Sequence, residues 1–275
     1  MLKEKYDFKD LLDIMARLRS EKGCPWDREQ THESLRIYLI EETYEVLDAL
    51  DAGDMGKFCN ELGDLLLQIV FHAQIAKENG TFDIGDITTD ICRKLISRHT
   101  HIFGEDKADT PEQVLKNWEE IKKKEKHLET HTGVLKDIPS SLPALIRSFK
   151  LQQKAARVGF DWDNIEDVFR KIDEEIRELK DVYKSKNVER ITDELGDVFF
   201  ALVNLSRFLG VQPELALTST NNKFIRRFEY IEQQSAREGR KLEDMSLAEM
   251  DALWNEAKTL IPEKEKDVPE KGGLI

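Results

Sequence analysis

A mainly helical chain of about two domains, organised as an internal duplication, is what this 275-residue sequence predicts, and three observations carry the prediction. The composition is 35% charged with only 14 glycines and 7 prolines, which favours long, charge-decorated helices over sheets. Apolar residues recur at spacings of three and four, with little of the alternation that marks strands. One carboxylate pattern also occurs twice: Glu41-Glu42-x-x-Glu45 followed by Glu61-x-x-Asp64, and Glu174-Glu175-x-x-Glu178 followed by Glu194-x-x-Asp197. Glu61 follows Glu42 by nineteen positions, and Glu194 follows Glu175 by nineteen. A solvated charge run has no reason to reproduce that register, whereas oxygen ligands converging from two helices on one cation require it.

The elements follow in order. Phe8 to Arg19 has apolar residues at 8, 11, 12, 14, 15 and 18, an amphipathic helix that Gly23-Cys24-Pro25-Trp26-Asp27 breaks. Thr31-His32-Glu33-Ser34 opens a second helix through Glu41–Glu45 to about Leu50. Ala52-Gly53-Asp54 turns the chain into a third, which bears Glu61 and Asp64 and ends before Asn79-Gly80. Asp90 to Arg98 is helical, and Thr110-Pro111-Glu112 reads as an N-cap with proline in the first turn. That helix ends in Lys122-Lys123-Lys124. Residues 126–143, with Gly133, Pro139 and Pro143 and no sustained period, read as a linker.

The plan then repeats: a helix at 144–156, a Trp162-Asp163 loop, a helix through Glu174–Glu178, and a turn near Lys184–Asn187. Helices over Ile191–Phe208, about Asn222–Arg237 and about Leu247–Leu260 complete it. The expected domains are 1–125 and 144–262, with 263–275 a charged, disordered tail.

Helix positions three and four apart share a face, so Glu42 and Glu45, Glu61 and Asp64, and their counterparts in the second copy are neighbours. Each pair sits roughly eight residues from its turn, about 12 Å along the helix, so an antiparallel hairpin brings the pairs level. Leu62, Leu65, Leu66, Ile69 and Val70, and in the second copy Ile191, Leu195, Val198, Phe199 and Leu202, form the expected core stripe beside the acids. Gly63 and Gly196 hold equivalent helical positions at about 1 kcal/mol each, for close helix packing or for ligand room. Clustered carboxylates repel and take up protons unless a cation is present. An oxygen-only donor set points to Mg²⁺, or Mn²⁺, over zinc. Surface ion pairing would explain one isolated Glu-x-x-Glu, but not two matching hairpins.

No glycine-rich phosphate loop occurs, so a phosphate ligand must be held by metal and side chains. Lys223 and Arg227, one turn apart with Arg226 beside them, suit polyphosphate oxygens, and Lys94 and Arg98 repeat the pair in the first copy. Trp254 and its counterpart Trp118 suit either stacking on a base or core packing. Arg98-His99-x-His101 invites a metal reading, but the second copy has Phe228 and Tyr230 there. A net charge of −13 argues against binding DNA or RNA directly. Cys24, Cys59 and Cys92 read as free thiols. With no apolar signal core and no membrane-length apolar run, a soluble, cytoplasmic protein is expected.

The carboxylate pattern, with Gly23-Cys24-Pro25-Trp26-Asp27, Asp137-Ile138-Pro139, Val158-Gly159-Phe160-Asp161-Trp162, Glu194-Leu195-Gly196-Asp197 and Lys223-Phe224-Ile225-Arg226-Arg227-Phe228, resembles the MazG nucleoside triphosphate pyrophosphohydrolases. The likeness spans nearly the whole chain. It implies an all-helical tandem fold, a homodimer, and Mg²⁺-dependent cleavage of nucleoside triphosphates between the α and β phosphates. Carried onto this sequence, it implies Glu175, Glu178, Glu194 and Asp197 as metal ligands, with Glu174 and Glu175 in catalysis. Lys171, Lys223, Arg226, Arg227 and Trp254 become the substrate contacts. Glu41, Glu42, Glu45, Glu61, Asp64, Lys94 and Arg98 mark a second site in the first copy, secondary to the C-terminal one. Two other readings compete. An acidic helical adaptor leaves the paired Lys-x-x-x-Arg unexplained, and a di-metal carboxylate oxidase wants Glu-x-x-His, which neither hairpin has.

Overall fold

A computed structural model describes residues 3–260; the expected tail at 263–275 lies outside them. Among the described residues there is no β-strand, and the chain divides into two compact units, Met1–Trp118 and Glu119–Ile275. The first unit contains α1 (Phe8–Leu18), α2 (Pro25–Glu29), α3 (Arg36–Ala52), α4 (Met55–Glu78), α5 (Ile84–Arg98) and α6 (Thr100–Phe103). α7 (Pro111–Glu125) runs across the division. The second unit holds α8 (His131–Lys136), α9 (Ala144–Ala156), α10 (Ile165–Val182), α11 (Val188–Phe208), α12 (Pro213–Arg237) and α13 (Leu247–Leu260).

The carboxylate hairpins are α3–α4 and α10–α11. In the first, Gly53 ends α3 in the left-handed region at φ 71°, and the Asp54 side chain accepts from the N–H groups of Gly56 (3.0 Å) and Lys57 (2.9 Å). In the second, Lys186 takes the left-handed position at φ 59°, a cost of about 1–2 kcal/mol that a glycine avoids, and Asn187 caps α11.

Two expectations about organisation need revision. Residues 126–143 contain α8, capped by Thr130, whose hydroxyl accepts from Gly133 N–H at 3.0 Å. Asp137 just beyond it pairs with Lys126 (2.6 Å) and Lys122 (3.2 Å). A helix this short shows no period in sequence; a cap and ion pairs hold it. α12 begins at Pro213, well before Asn222, because Gln212 caps it and proline suits its first turn, although the following polar run lacks an apolar rhythm.

The core of the first unit joins Met15, Leu35, Val70, Phe71 and Ile75, with Leu11, Leu12 and Leu67 against it. In the second, Val168, Ile172 and Ala201 pack with Ile176, Leu205 and Phe208. The expected stripe is only partly buried. Val70 and Val198 are inside, but Leu62, Leu66, Ile69, Leu195, Phe199 and Leu202 are exposed in the single chain. Each hairpin buries one of its acids instead, leaving Glu61 6% and Glu175 5% exposed.

At the start of α13, Glu249 accepts from the N–H and hydroxyl of Ser246 (2.8 Å each) and pairs with Arg240 (2.8 Å). Arg240 first, and then Ser246, hold this carboxyl down to about 2 from an ordinary 4.5. A depressed acid stabilises the fold above its unfolded pKa and loses that contribution as pH falls toward the folded one. Glu249→Gln should therefore lower thermal stability at pH 7, with the gap to wild type closing between pH 4.5 and about 2. A gap that persists at pH 2 would refute the assignment.

Candidate active site

In α10 and α11 the i, i+3 and i, i+4 rows place acids on one face of each helix, Glu175 buried, Glu194 half-buried and Asp197 exposed. Carboxylate oxygens of Glu175, Glu194 and Asp197 lie within 4.8 Å of one another, and in the first unit those of Glu42, Glu45 and Glu61 do the same. Glu178 and Asp64 fall outside these two groups but couple to them electrically. The Glu178 carboxyl is raised above the usual range by burial first, then by the charges of Glu175 and Glu194. Glu42 is raised by burial, then by Asp64, Glu45 and Glu61. Glu61 is raised by burial, then by Glu45. Octahedral Mg²⁺, with ligands at about 2.0–2.1 Å, wants donor oxygens no more than roughly 4.2 Å apart. Oxygens spread over as much as 4.8 Å must draw slightly closer to hold such an ion, which rotation of the carboxylate side chains allows.

The two clasps differ in their neighbours. Lys171 Nζ donates to Glu175 (2.6 Å) and Glu174 (2.8 Å), pushing the lysine well above its usual range and holding Glu174 below its own. Tyr38 stands at that register in the first unit, three residues before Glu41, as Lys171 stands before Glu174. A Cβ built at Gly63 or Gly196 meets nothing within 4 Å, so helix packing inside one chain does not explain either glycine.

The second unit adds a cavity of about 780 Å³, within the roughly 300–1,000 Å³ of small-molecule sites. Lys171, Glu175 and Asp197 line it together with Gln152, Phe160, Asp161, Trp162, Phe200, Ala201, Asn204 and Arg207. Arg207 forms a two-pronged pair with Asp161 (Nη1 to Oδ2, 3.0 Å) and donates to Asn204 Oδ1 from Nε (3.1 Å) and Nη2 (2.8 Å). In the first unit two of the matching positions carry larger side chains. Phe71, seven residues after Asp64 as Asn204 is after Asp197, is core. Arg19, four residues before Gly23 as Ala155 is before Gly159, lies over the Phe71 ring at 5.4 Å and pairs with Glu78 at 2.8 Å.

Of the expected site residues, Glu174, Glu175, Glu194, Asp197 and Lys171 come together. Lys223, Arg226, Arg227 and Trp254 sit on α12 and α13, outside the lining of the cavity. Arg227 covers the Trp254 ring at 5.5 Å and Phe224 meets it at 5.2 Å. The first unit repeats this with Arg98 over Trp118 at 5.1 Å, while Lys94 pairs with Asp90 at 2.5 Å. His99 packs edge-on against Trp118 and its Nδ1 lies 2.7 Å from the Leu95 carbonyl. Sequence reasoning missed Gln152, Asn204 and Arg207. The available signal was two polar residues late in an apolar helix, Asn204 falling two turns after Asp197 on the same face.

Fold and site together define an all-α protein built from two carboxylate hairpins, one opening on a cavity. The sequence matches the family described as MazG nucleotide pyrophosphohydrolase domain, over residues 30–103 and 164–231. It is 45% identical over 251 residues to the nucleoside triphosphate pyrophosphohydrolase/pyrophosphatase MazG of Thermotoga maritima, spanning 91% of this chain and 95% of that relative. It is 45% identical over 253 residues to the nucleoside triphosphate pyrophosphohydrolase of Escherichia coli K12, spanning 90% and 95%. An uncharacterized Bacillus subtilis protein, YabN, is 47% identical over 254 residues, 92% of this chain and 52% of its own length. The chain belongs to the MazG family.

Proposed function

We propose that the protein hydrolyses nucleoside triphosphates between the α and β phosphates, releasing a nucleoside monophosphate and pyrophosphate, and that the reaction runs in the second unit. The observation that carries this is a nucleoside-sized cavity whose floor is Lys171, Glu175 and Asp197. Glu175, Glu194 and Asp197, with Glu178 beside them, would hold Mg²⁺, which when bound would neutralise triphosphate oxygens and make the α phosphorus more electrophilic. Glu174, held ionised by Lys171, accepts a hydrogen bond from water and orients it for in-line attack. Lys171 fixes both Glu174 and Glu175 in place. Lys223, Arg226 and Arg227 offset charge on the departing pyrophosphate, and Trp254 braces Arg227.

The exposed Leu195, Phe199 and Leu202 on α11, and Phe224, Ile225 and Phe228 on α12, pair with a second copy, making the working form a homodimer. Among the described residues no helix is long and apolar enough to cross a membrane, in keeping with a cytoplasmic enzyme.

Product analysis tests the reaction. With ATP, CTP, GTP or UTP and Mg²⁺, monophosphate and pyrophosphate should appear one to one, and a chelator should stop both. Orthophosphate with nucleoside diphosphate as first products would overturn the assignment.

A further inference from the structure

Two histidines meet in the first unit, away from both clasps. His32 Nδ1 and His72 Nδ1 lie 2.8 Å apart, and the two ring planes are within 10° of each other. The ring centroids are 5.1 Å apart, which is what two ring radii add to that contact, so the nitrogens point at each other in one plane. The contact is an N–H···N hydrogen bond, not a stack of ring faces. Each ring is held by its own element. His72 is on α4 beside the buried Phe71. His32 stands in the turn that opens α3, where Thr31 N–H donates to Ser34 Oγ at 2.9 Å and Ser34 N–H to Thr31 Oγ1 at 3.2 Å. Leu35, three residues on, joins Val70 and Phe71 in the core cluster. The pair thus ties the entry of α3 to α4.

This bond survives one added proton and not two. In the neutral pair one Nδ1 donates and the other accepts. A first proton goes to the free Nε2 of the donating ring and leaves the bond intact. A second must take the accepting lone pair, which sets N–H against N–H and one charge against another. His72 is held below its ordinary 6.5 by burial first and then by the charge of His32. No carboxylate offsets this, and α1, α3 and α5, the helices packed on α4, set no charge against His72. Of the charged groups around the pair, Arg19 at the end of α1 lies over Phe71 and pairs with Glu78 of α4. Glu33, on the turn, is held below its ordinary range by its own backbone N–H and by Thr31, with the charge of His32 adding least. The second unit has no such pair. Ile165 stands nine residues before Glu174 as His32 does before Glu41, and Leu205 eight after Asp197 as His72 does after Asp64.

We propose that His32 and His72 form a proton-operated latch: on acidification the doubly protonated pair parts, and the entry of α3 comes away from α4 in the first unit alone. The latch depends on no step of the hydrolysis proposed above. Its direction follows from linkage. A histidine held below its unfolded value stabilises the fold above that value, and loses the contribution as pH falls from 6.5 toward and through the folded one.

Amide exchange of the full chain at about pH 7.5 and about pH 5.5, each rate corrected for its intrinsic pH dependence, tests the latch. The reporters are the amides of Leu35, Arg36 and Leu39, bonded to the carbonyls of Thr31, Glu33 and Leu35. Their protection in the wild type should fall about tenfold on acidification, the equivalent of one unit of proton affinity, while amides in the first turns of α10 keep theirs. His72→Gln retains an amide whose oxygen accepts from a protonated His32, and should abolish the fall. Replacing both residues as the second unit has them, His32→Ile with His72→Leu, should abolish it too. If that double variant does not fold, His72→Gln decides alone. Unchanged protection in the wild type, an equal fall in α10, or a fall that survives in His72→Gln overturns the latch and leaves the hydrolysis standing.

Discussion

Glu175→Gln should lower kcat by more than roughly 100-fold, while Glu42→Gln at the same register in the first unit should cost less than about threefold. Disturbing groups that merely orient a metal ligand already costs roughly 10–100-fold, so replacing a ligand exceeds that range. Glu175 is also one of the two acids that Lys171 holds, and it forms part of the cavity floor. Glu42 has comparable acidic company in Glu45 and Glu61, but Tyr38 stands where Lys171 does in the second unit, and Phe71, at the register of Asn204, is core. Neither change should unfold the chain, because a neutral amide relieves crowding among carboxylates; circular dichroism and melting curves check this. Equal losses of turnover from the two variants would mean that both units catalyse and that the filled register in the first is no barrier.

Phe71→Ala is expected to cost about 3–5 kcal/mol, the range for deleting a buried aromatic ring. Phe71 is 3% exposed, sits in the cluster with Met15, Leu35, Val70 and Ile75, and carries the Arg19 guanidinium on its face. A domain holds only about 5–15 kcal/mol in total, so the variant should lose amide-exchange protection throughout α1 and α4 under mild denaturant. Asn204→Ala, at the same position of the other hairpin, should cost less than about 1.5 kcal/mol, because it removes hydrogen bonds to Arg207 at a cavity wall and no core volume. A Phe71→Ala loss below 1 kcal/mol by urea unfolding, where roughly 3 is expected, would mean that the first unit does not depend on this cluster.

How much was legible in the chain varies by element. α9 and α13 fall at the ranges read from the sequence, Ala144–Ala156 and Leu247–Leu260. The meeting of Glu175 with Glu194 and Asp197 was also legible, because helical periodicity and equal distances from a turn leave little freedom. Which helix face points inward was not. Leu62, Leu66, Leu195 and Leu202 read as core by hydrophobicity, yet they stand outward while Glu61 and Glu175 are buried. A period identifies a face but not what lies opposite it. The roles of Trp254 and Arg227 were likewise beyond reach, since their mutual contact depends on how α12 packs on α13.

The sequence by itself determined the helices, the duplication and the two acidic clasps, because these depend on spacing within one hairpin and on the short range of backbone hydrogen bonds. Only the tertiary structure decided that Lys171, Glu175 and Asp197 of the second clasp line a cavity, while in the first unit Phe71 joins the core with Arg19 on its ring. Ala155 stands at the register of Arg19 and Asn204 at that of Phe71, and such differences in side-chain volume act only once helices distant in sequence have packed together.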